Sequence, residues 1–293
     1  MKFVTFWSEN ELKFGVKTEA GILDVRATAL AAGRDDLPTA PDAFFAEGLR
    51  YLPMLQAFVE GVETAVILNE NTLTLAPTIP NPGKIICVGL NYRDHVSESE
   101  MELPDTPILF SKFNNALAAH NEPVPLPKNG TQFDYEGEMI AVIGKRAKNL
   151  TPDEALDVVL GYANGNDLSI RDWQFRSSQW LLGKTADKFI PVGPYLVTAD
   201  EVGDPQNLDI KLWLNGELRQ SSNTRYMIFS VAEIISYISQ HMTLEPGDII
   251  STGTPEGVIL GMEQKVWLKP GDVLRVEVEK LGVLQNELVT DSR

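Results

Sequence analysis

Within residues 76–83 the chain carries three prolines and a glycine, at Pro77, Pro80, Pro82 and Gly83. Proline fixes its own backbone and donates no hydrogen bond, so neither a helix nor a central strand passes through this stretch. The sequence is thereby divided into a small β-rich domain at 1–75, a proline-rich linker at 76–83 and a long remainder at 84–293. Before the linker, Lys2–Trp7, Lys13–Thr18 and Gly21–Val25 alternate apolar and polar residues between turn signals, predicting a small antiparallel sheet. A helix is predicted around Leu49–Val59.

Beyond the linker, Lys84–Gly89, Glu138–Ile143, Tyr195–Thr198, Asp209–Leu214, Asp248–Ser251 and Val273–Val278 read as strands. Two helix starts are well signalled. Thr151-Pro152-Asp153-Glu154 and Ser230-Val231-Ala232-Glu233 each place a hydroxyl at the N-cap and a glutamate three residues later. Asn215-Gly216 marks a hairpin turn, and the proline and asparagine cluster from Asn121 to Asn129 reads as a loop. Strands dominate and helices are sparse, so regular βαβ alternation fails. The fold class expected is α+β and β-rich.

Charge removes several functions. Arginine and lysine total 25 against 41 acidic residues, a net charge of -16. Nucleic acids and anionic membranes both attract basic surface, so neither is an expected partner. A small anionic substrate remains compatible, because a metal and a few bases reverse the sign locally. The single cysteine, Cys87, excludes an intrachain disulfide and a multi-cysteine zinc site, and its apolar neighbours make it a buried structural thiol. The first residues carry no long apolar stretch after the basic position, and no apolar run reaches the roughly 20 residues of a membrane helix. A cytoplasmic enzyme is expected.

The sharpest chemical feature is Asp134-Tyr135-Glu136-Gly137-Glu138, running directly into Met139–Ile143. Residues two apart on a strand share a face, so Glu136 and Glu138 project together and repel unless solvated or bridged by a cation. Asn164–Asp172, read as a polar turn after an apolar helix end, adds Asp167 as a third oxygen donor. Three carboxylates without His or Cys suit Mg²⁺ or Mn²⁺ and argue against zinc. Positions left open on such an ion fit the carboxylate and keto oxygens of a 2-oxo acid. His95 has Glu98 three residues on, a spacing that sets the carboxylate beside the imidazole on a helical turn and fixes its tautomer for general-base work. His120 and His241 read as structural. Gly253 and Thr254, in the loop Ser251–Gly257, are candidates to receive a substrate carboxylate. GxGxxG, GxSxG and P-loop motifs are missing.

In this order the segments IICVGLNYRDHVSE, DYEGEMIAVIG, GNDLSIRDWQ, LLGKTADKFIPVGP, LNGELRQ and LEPGDIISTGTPEGV resemble the fumarylacetoacetate hydrolase family, over residues from about 84 to 289. The nearest pattern is that of its acylpyruvase and oxaloacetate decarboxylase type. The resemblance implies a mixed β-roll core, fumarylacetoacetase C-terminal-like, behind a small N-terminal domain, usually in a homodimer. It implies Glu136, Glu138 and Asp167 as ligands of Mg²⁺ or Mn²⁺, and His95 with Glu98 as a water-activating dyad on a lid. Arg171 and Gln174 match polar residues near metal and substrate, Lys184 a lysine beside the metal, and Gly253 with Thr254 a substrate-contacting loop. The chain departs from the pattern at Lys188, which either reaches a second substrate carboxylate or points to solvent. The activity implied is C–C cleavage of a small 2-oxo acid through a metal-stabilised enolate, by acylpyruvate hydrolysis or oxaloacetate decarboxylation. The alternatives are isomerisation or decarboxylation of 2-hydroxy-dienoates in aromatic catabolism, and hydrolysis of a sugar-derived 2,4-diketo acid.

Overall fold

The computed structural model describes residues 1–98 and 101–292. Among them, a mixed sheet of twelve strands forms the centre of the molecule. Its path runs through Ile67–Leu68, Gly21–Asp24, Glu11–Thr18, Lys2–Ser8, Ile190–Thr198, Val159–Asn166, Gly137–Ile143, Ile249–Ser251, Ile85–Gly89 and Ile108–Lys112. Thr74–Leu75 and Leu117–Ala118 pair off this path. A second sheet of five strands contains Glu217–Asn223, Asp209–Leu214, Val273–Val278, Val283–Thr290 and Val124–Leu126. The strand-rich α+β class expected from the sequence is the one found.

The N-terminal strands do not stand apart. Lys2 pairs with Val197 and Phe3 with Leu196, so the hairpins of residues 1–75 extend the central sheet. Phe3, Phe14, Phe44 and Leu55 lie in one apolar core with Ile85, Ile140 and Ile190. The proline-rich segment is pinned as it crosses: the Thr78 N–H donates to Val192 O at 3.4 Å, and Thr5 Oγ1 donates to Thr78 O at 2.9 Å. It marks a change in sequence character without separating two cores.

Val159–Asn166 departs from expectation. This stretch is a strand, buried along its whole length, where the sequence suggested a helix end. A short apolar run looks the same in a buried helix and a buried strand, and only pairing decides between them. The strand lies between Gly137–Ile143, with Glu138 opposite Gly165, and Ile190–Thr198. The Asn121–Asn129 loop also contains a short strand, Val124–Leu126, parallel to Val283–Thr290. Both helix starts form the predicted capping boxes, at Thr151 with Glu154 and at Ser230 with Glu233. No helix among the described residues is long and apolar enough to cross a membrane.

The close approach of these strands rests on Gly161. A Cβ there would lie 2.2 Å from Val197 O and 2.9 Å from Thr198 Cα, both backbone atoms that cannot turn aside. Gly161→Ala should therefore destabilise the fold by about 1–3 kcal/mol, read as a lower urea midpoint at unchanged slope.

Candidate active site

The strand Gly137–Ile143 has Val159–Asn166 on one side and Ile249–Ser251 on the other. That order converts sequence distance into contact. Glu138 lies on this strand, Glu136 immediately before it, Asp167 immediately after Val159–Asn166, and Ser251 and Gly253 at the end of the third strand. The Asp167 N–H donates to Glu136 O at 2.8 Å, and Glu136 N–H to Asn166 Oδ1 at 3.0 Å, which fixes the two turns against each other. As a result Glu136, Glu138 and Asp167, all buried, bring a carboxylate oxygen each within 4.8 Å of one another.

Buried carboxylates require partners, because removing an unpaired charge from water costs several kcal/mol. Lys184 Nζ lies 2.7 Å from Glu136 Oε2 and 3.0 Å from Asp167 Oδ2. Arg171 Nη2 lies 2.7 Å from Glu136 Oε1. Lys112 Nζ lies 2.5 Å from Asp167 Oδ1 and donates to the carbonyls of Leu168 and Phe189 at 2.8 and 2.6 Å. Glu138 differs. It accepts from Ser251 Oγ at 2.5 Å and Gly253 N–H at 2.8 Å, with no cationic side chain paired to it among the described residues.

The electrostatics follow this division. Burial pushes the Glu136 carboxyl up, but Lys184, Arg171 and His95 outweigh it and hold the group well below the usual carboxylate range. Burial also pushes Glu138 up, and there Asp167 and Glu136 add to it, so its carboxyl stands well above that range. Burial lowers Lys112 despite its pairing with Asp167, whereas Lys184, between two carboxylates, is raised in spite of burial. An oxygen-only donor set containing one carboxylate without a cation fits a hard divalent metal ion.

Above this cluster opens a cavity of about 510 Å³, lined by Glu136, Glu138, Arg171, Gln174, Lys184, His95 and Glu98 among others. A volume of that order suits a small metabolite. Phe110 and Trp180 form an apolar wall, their rings 5.5 Å apart and edge to face, with Lys184 Nζ 5.0 Å from the Phe110 centroid. His95 and Glu98 lie on the short helix Arg93–Glu98 at the cavity's edge, with His95 Nδ1 2.8 Å from Glu98 Oε1. Glu98 Oε2 accepts from Gly257 N–H at 2.8 Å, so the helix is docked onto the loop after Ile249–Ser251. Arg171 Nη1 donates to Gln174 Oε1 at 2.9 Å, which orients the amide nitrogen of Gln174 away from the guanidinium.

Gly253 and Thr254, candidates to receive a substrate carboxylate, already have partners within the protein. The Gly253 N–H is committed to Glu138, and the Thr254 hydroxyl donates to Gly137 O at 2.9 Å while accepting from Gln220 Nε2 at 2.9 Å. Their hydrogen-bonding groups face the strand Gly137–Ile143 and its Glu138 carboxylate, because its neighbour, the strand Ile249–Ser251, runs directly into their loop. Only Thr254 of the two also lines the cavity. Lys188 lies outside the cavity, paired with Glu122 at 2.7 Å. His120 accepts from the Gln285 N–H and His241 is exposed; neither lines the cavity. Sequence reasoning missed Lys112, Ser251 as a partner of Glu138, and Asp134. Strand alternation offered a signal for Lys112, since Ile108, Phe110 and Lys112 share a face and a lysine there needs an acidic partner.

The family model for the C-terminal domain of fumarylacetoacetate hydrolase matches residues 84–289. A Dictyostelium discoideum protein called "Fumarylacetoacetate hydrolase domain-containing protein 2 homolog" is 48% identical over 230 residues, 75% of each chain. The human protein called "Oxaloacetate tautomerase FAHD2A, mitochondrial" is 43% identical over 225 residues, 76% of this chain and 72% of its own. Among solved structures, a fumarylacetoacetate hydrolase from psychrophilic Exiguobacterium antarcticum superposes with a TM-score of 0.82 at 35% identity over 99% of both chains. A maleylpyruvate hydrolase from Sphingobium sp. SYK-6, in complex with manganese(II) and pyruvate, gives 0.80 at 30% identity over 99% of both. The mitochondrial name of the human relative lends no support to the cytoplasmic placement expected from the sequence.

Glu138 generates a test of its own. Its carboxyl is protonated above the usual range in the metal-free protein, so binding a cation must displace that proton. Mn²⁺ affinity should rise with pH while that proton is being displaced, by at most about tenfold per pH unit, with up to one proton released. Calorimetry in buffers of different ionisation enthalpy reads both, and Glu138→Gln should abolish the proton release.

Proposed function

The chain belongs to the fumarylacetoacetate hydrolase family, and from that premise we propose that it is a divalent-metal-dependent enzyme cleaving a C–C bond of a small 2-oxo acid through its enolate. The observation that carries this is Glu138, a buried carboxylate with no cationic side chain paired to it among the described residues, meeting Glu136 and Asp167 beneath a cavity edged by the His95–Glu98 pair. Mn²⁺ or Mg²⁺ is the ion of choice, supported by the oxygen donor set and by the manganese and pyruvate in the maleylpyruvate hydrolase complex.

A cation held by Glu136, Glu138 and Asp167 supplies Lewis-acid polarisation of the 2-oxo group. The rest falls to side chains. Lys184 and Lys112 keep the carboxylates in place and offset their mutual repulsion. Gln174, its amide oriented by Arg171, offers a donor to the substrate carboxylate. The Glu98 carboxylate accepts from His95 Nδ1–H, which leaves Nε2 as the base of the neutral ring. With an acylpyruvate, His95 takes a proton from water, the resulting hydroxide adds to the distal carbonyl, and the C–C bond breaks. Its electron pair remains on the pyruvate fragment as an enolate, which is then protonated. With oxaloacetate the same enolate forms by loss of carbon dioxide, without water.

A second reading is keto–enol tautomerisation of oxaloacetate, favoured by the human relative's name. In that reaction His95 carries a proton between carbon and oxygen, and no carbon bond breaks. Turnover of oxaloacetate and acetylpyruvate by chelator-treated protein resupplied with Mn²⁺ or Mg²⁺ separates these chemistries. Glu138→Ala should remove all activity, and His95→Ala should lower acetylpyruvate kcat by about 10²–10⁴-fold, with a smaller effect on decarboxylation. Enol loss from oxaloacetate without pyruvate or carbon dioxide would favour the tautomerase. No turnover of either substrate with either metal would refute the reading.

A further inference from the structure

Asp134 takes no part in the chemistry above. It is fully buried two residues before Glu136 and is not among the three clustered carboxylates. Its contacts run in two directions. Asp134 Oδ2 accepts from Arg171 Nε at 2.9 Å and lies 2.8 Å from Arg171 Nη2, the nitrogen that also reaches Glu136. Toward the helix Arg93–Glu98, Oδ1 accepts the Ile259 N–H at 2.8 Å and Oδ2 the Leu260 N–H at 3.0 Å. These amides belong to the single turn Ile259–Gly261.

That turn and the residues just before it form the surface on which Glu98 rests. Gly257 N–H donates to Glu98 Oε2 at 2.8 Å, and the hydroxyl of Tyr135, next to Asp134, holds Gly257 O at 2.9 Å. Gly261 lies so near that a Cβ there would stand 2.7 Å from Glu98 Cδ. We infer that Asp134 is a positioning residue, holding 257–261 as the seat for Glu98 and tying that seat, through Arg171, to the Glu136 carboxylate.

The chemistry of a carboxylate suits the task. It is acceptor-only, with about four lone-pair sites, so it can take two successive backbone N–H groups and a guanidinium edge at once. An asparagine of the same shape must turn an NH₂ group toward one of those donors. The seat then loosens, Glu98 no longer fixes the His95 tautomer, and water activation fails. Decarboxylation needs only the carboxylates and their cations, so it persists. This deepens the reading of His95 and Glu98 as the water-activating pair and rests on it.

Asp134→Asn and Gly261→Ala in the full chain with Mn²⁺ provide the test. Gly261→Ala leaves Asp134, Arg171 and the metal carboxylates unchanged while displacing Glu98. In both variants acetylpyruvate kcat should fall about 10–10²-fold further than oxaloacetate decarboxylation, with KM nearly unchanged. Mn²⁺ affinity should stay within about threefold, and amides of Arg93–Glu98 should exchange hydrogen faster than in the parent. Parallel loss of both activities, or unaltered exchange across Arg93–Glu98, would overturn the assignment. If the parent turns over neither substrate, the proposed reaction alone falls, and the exchange rates still decide for or against the seat. Should Asp134→Asn not fold, Gly261→Ala decides: normal exchange there removes the seat on which the inference depends.

Discussion

Three carboxylates brought together out of water dictate much of what surrounds them. Like charges at this separation in a buried site are strongly unfavourable unless compensated, and each compensating cation must itself be buried and paired. Lys112 comes from the far edge strand of the central sheet, Lys184 from a short helix, and Arg171 from the turn after Asp167. Counting Asp134, four carboxylates face these three cations, so with all four ionised one negative charge is left. A divalent ion turns that into one positive charge, which a monoanionic 2-oxo acid cancels. A protein with a net charge of -16 can thus attract an anion to one site.

The same cluster explains why related reactions occur on one scaffold. Hydrolysis, decarboxylation and tautomerisation of 2-oxo acids share an enolate, so the groups that stabilise it serve all three. What separates them is whether water is held and deprotonated at the right atom. In the mechanism proposed above that choice belongs to His95 and Glu98, on a helix of six residues too short to hold its own geometry. Its position comes from outside, from the Gly257 amide and the turn at Ile259–Gly261. Relatives named as a tautomerase and as hydrolases can therefore resemble the same chain.

Much of this was legible in the chain and some was not. The alternation in Asp209–Leu214 and Val273–Val278 gave those strands their bounds, since one face is buried and the other solvated. Val159–Asn166 was misread because burial on both faces removes alternation, the signal that separates strand from helix. Lys112 escaped notice because a lysine is ordinarily solvated, and its acidic partner lies 55 positions away in sequence. Ser251, Gly253 and Thr254 drew attention as a polar loop, but which groups they serve depends on the strand beside them.

The sequence by itself determined the donor chemistry. Oxygen ligands without thiolate or imidazole, a histidine with a glutamate one helical turn on, and an acidic overall charge are properties of residue type and local spacing. Only the tertiary structure decided which carboxylate lacks a cationic side chain among the described residues, that Gly253 serves Glu138, that Lys188 pairs with Glu122 outside the cavity, and that residues 1–75 extend the central sheet. These depend on which strands become neighbours, and neighbour choice is set by burying apolar faces across the whole chain, information that no local window contains.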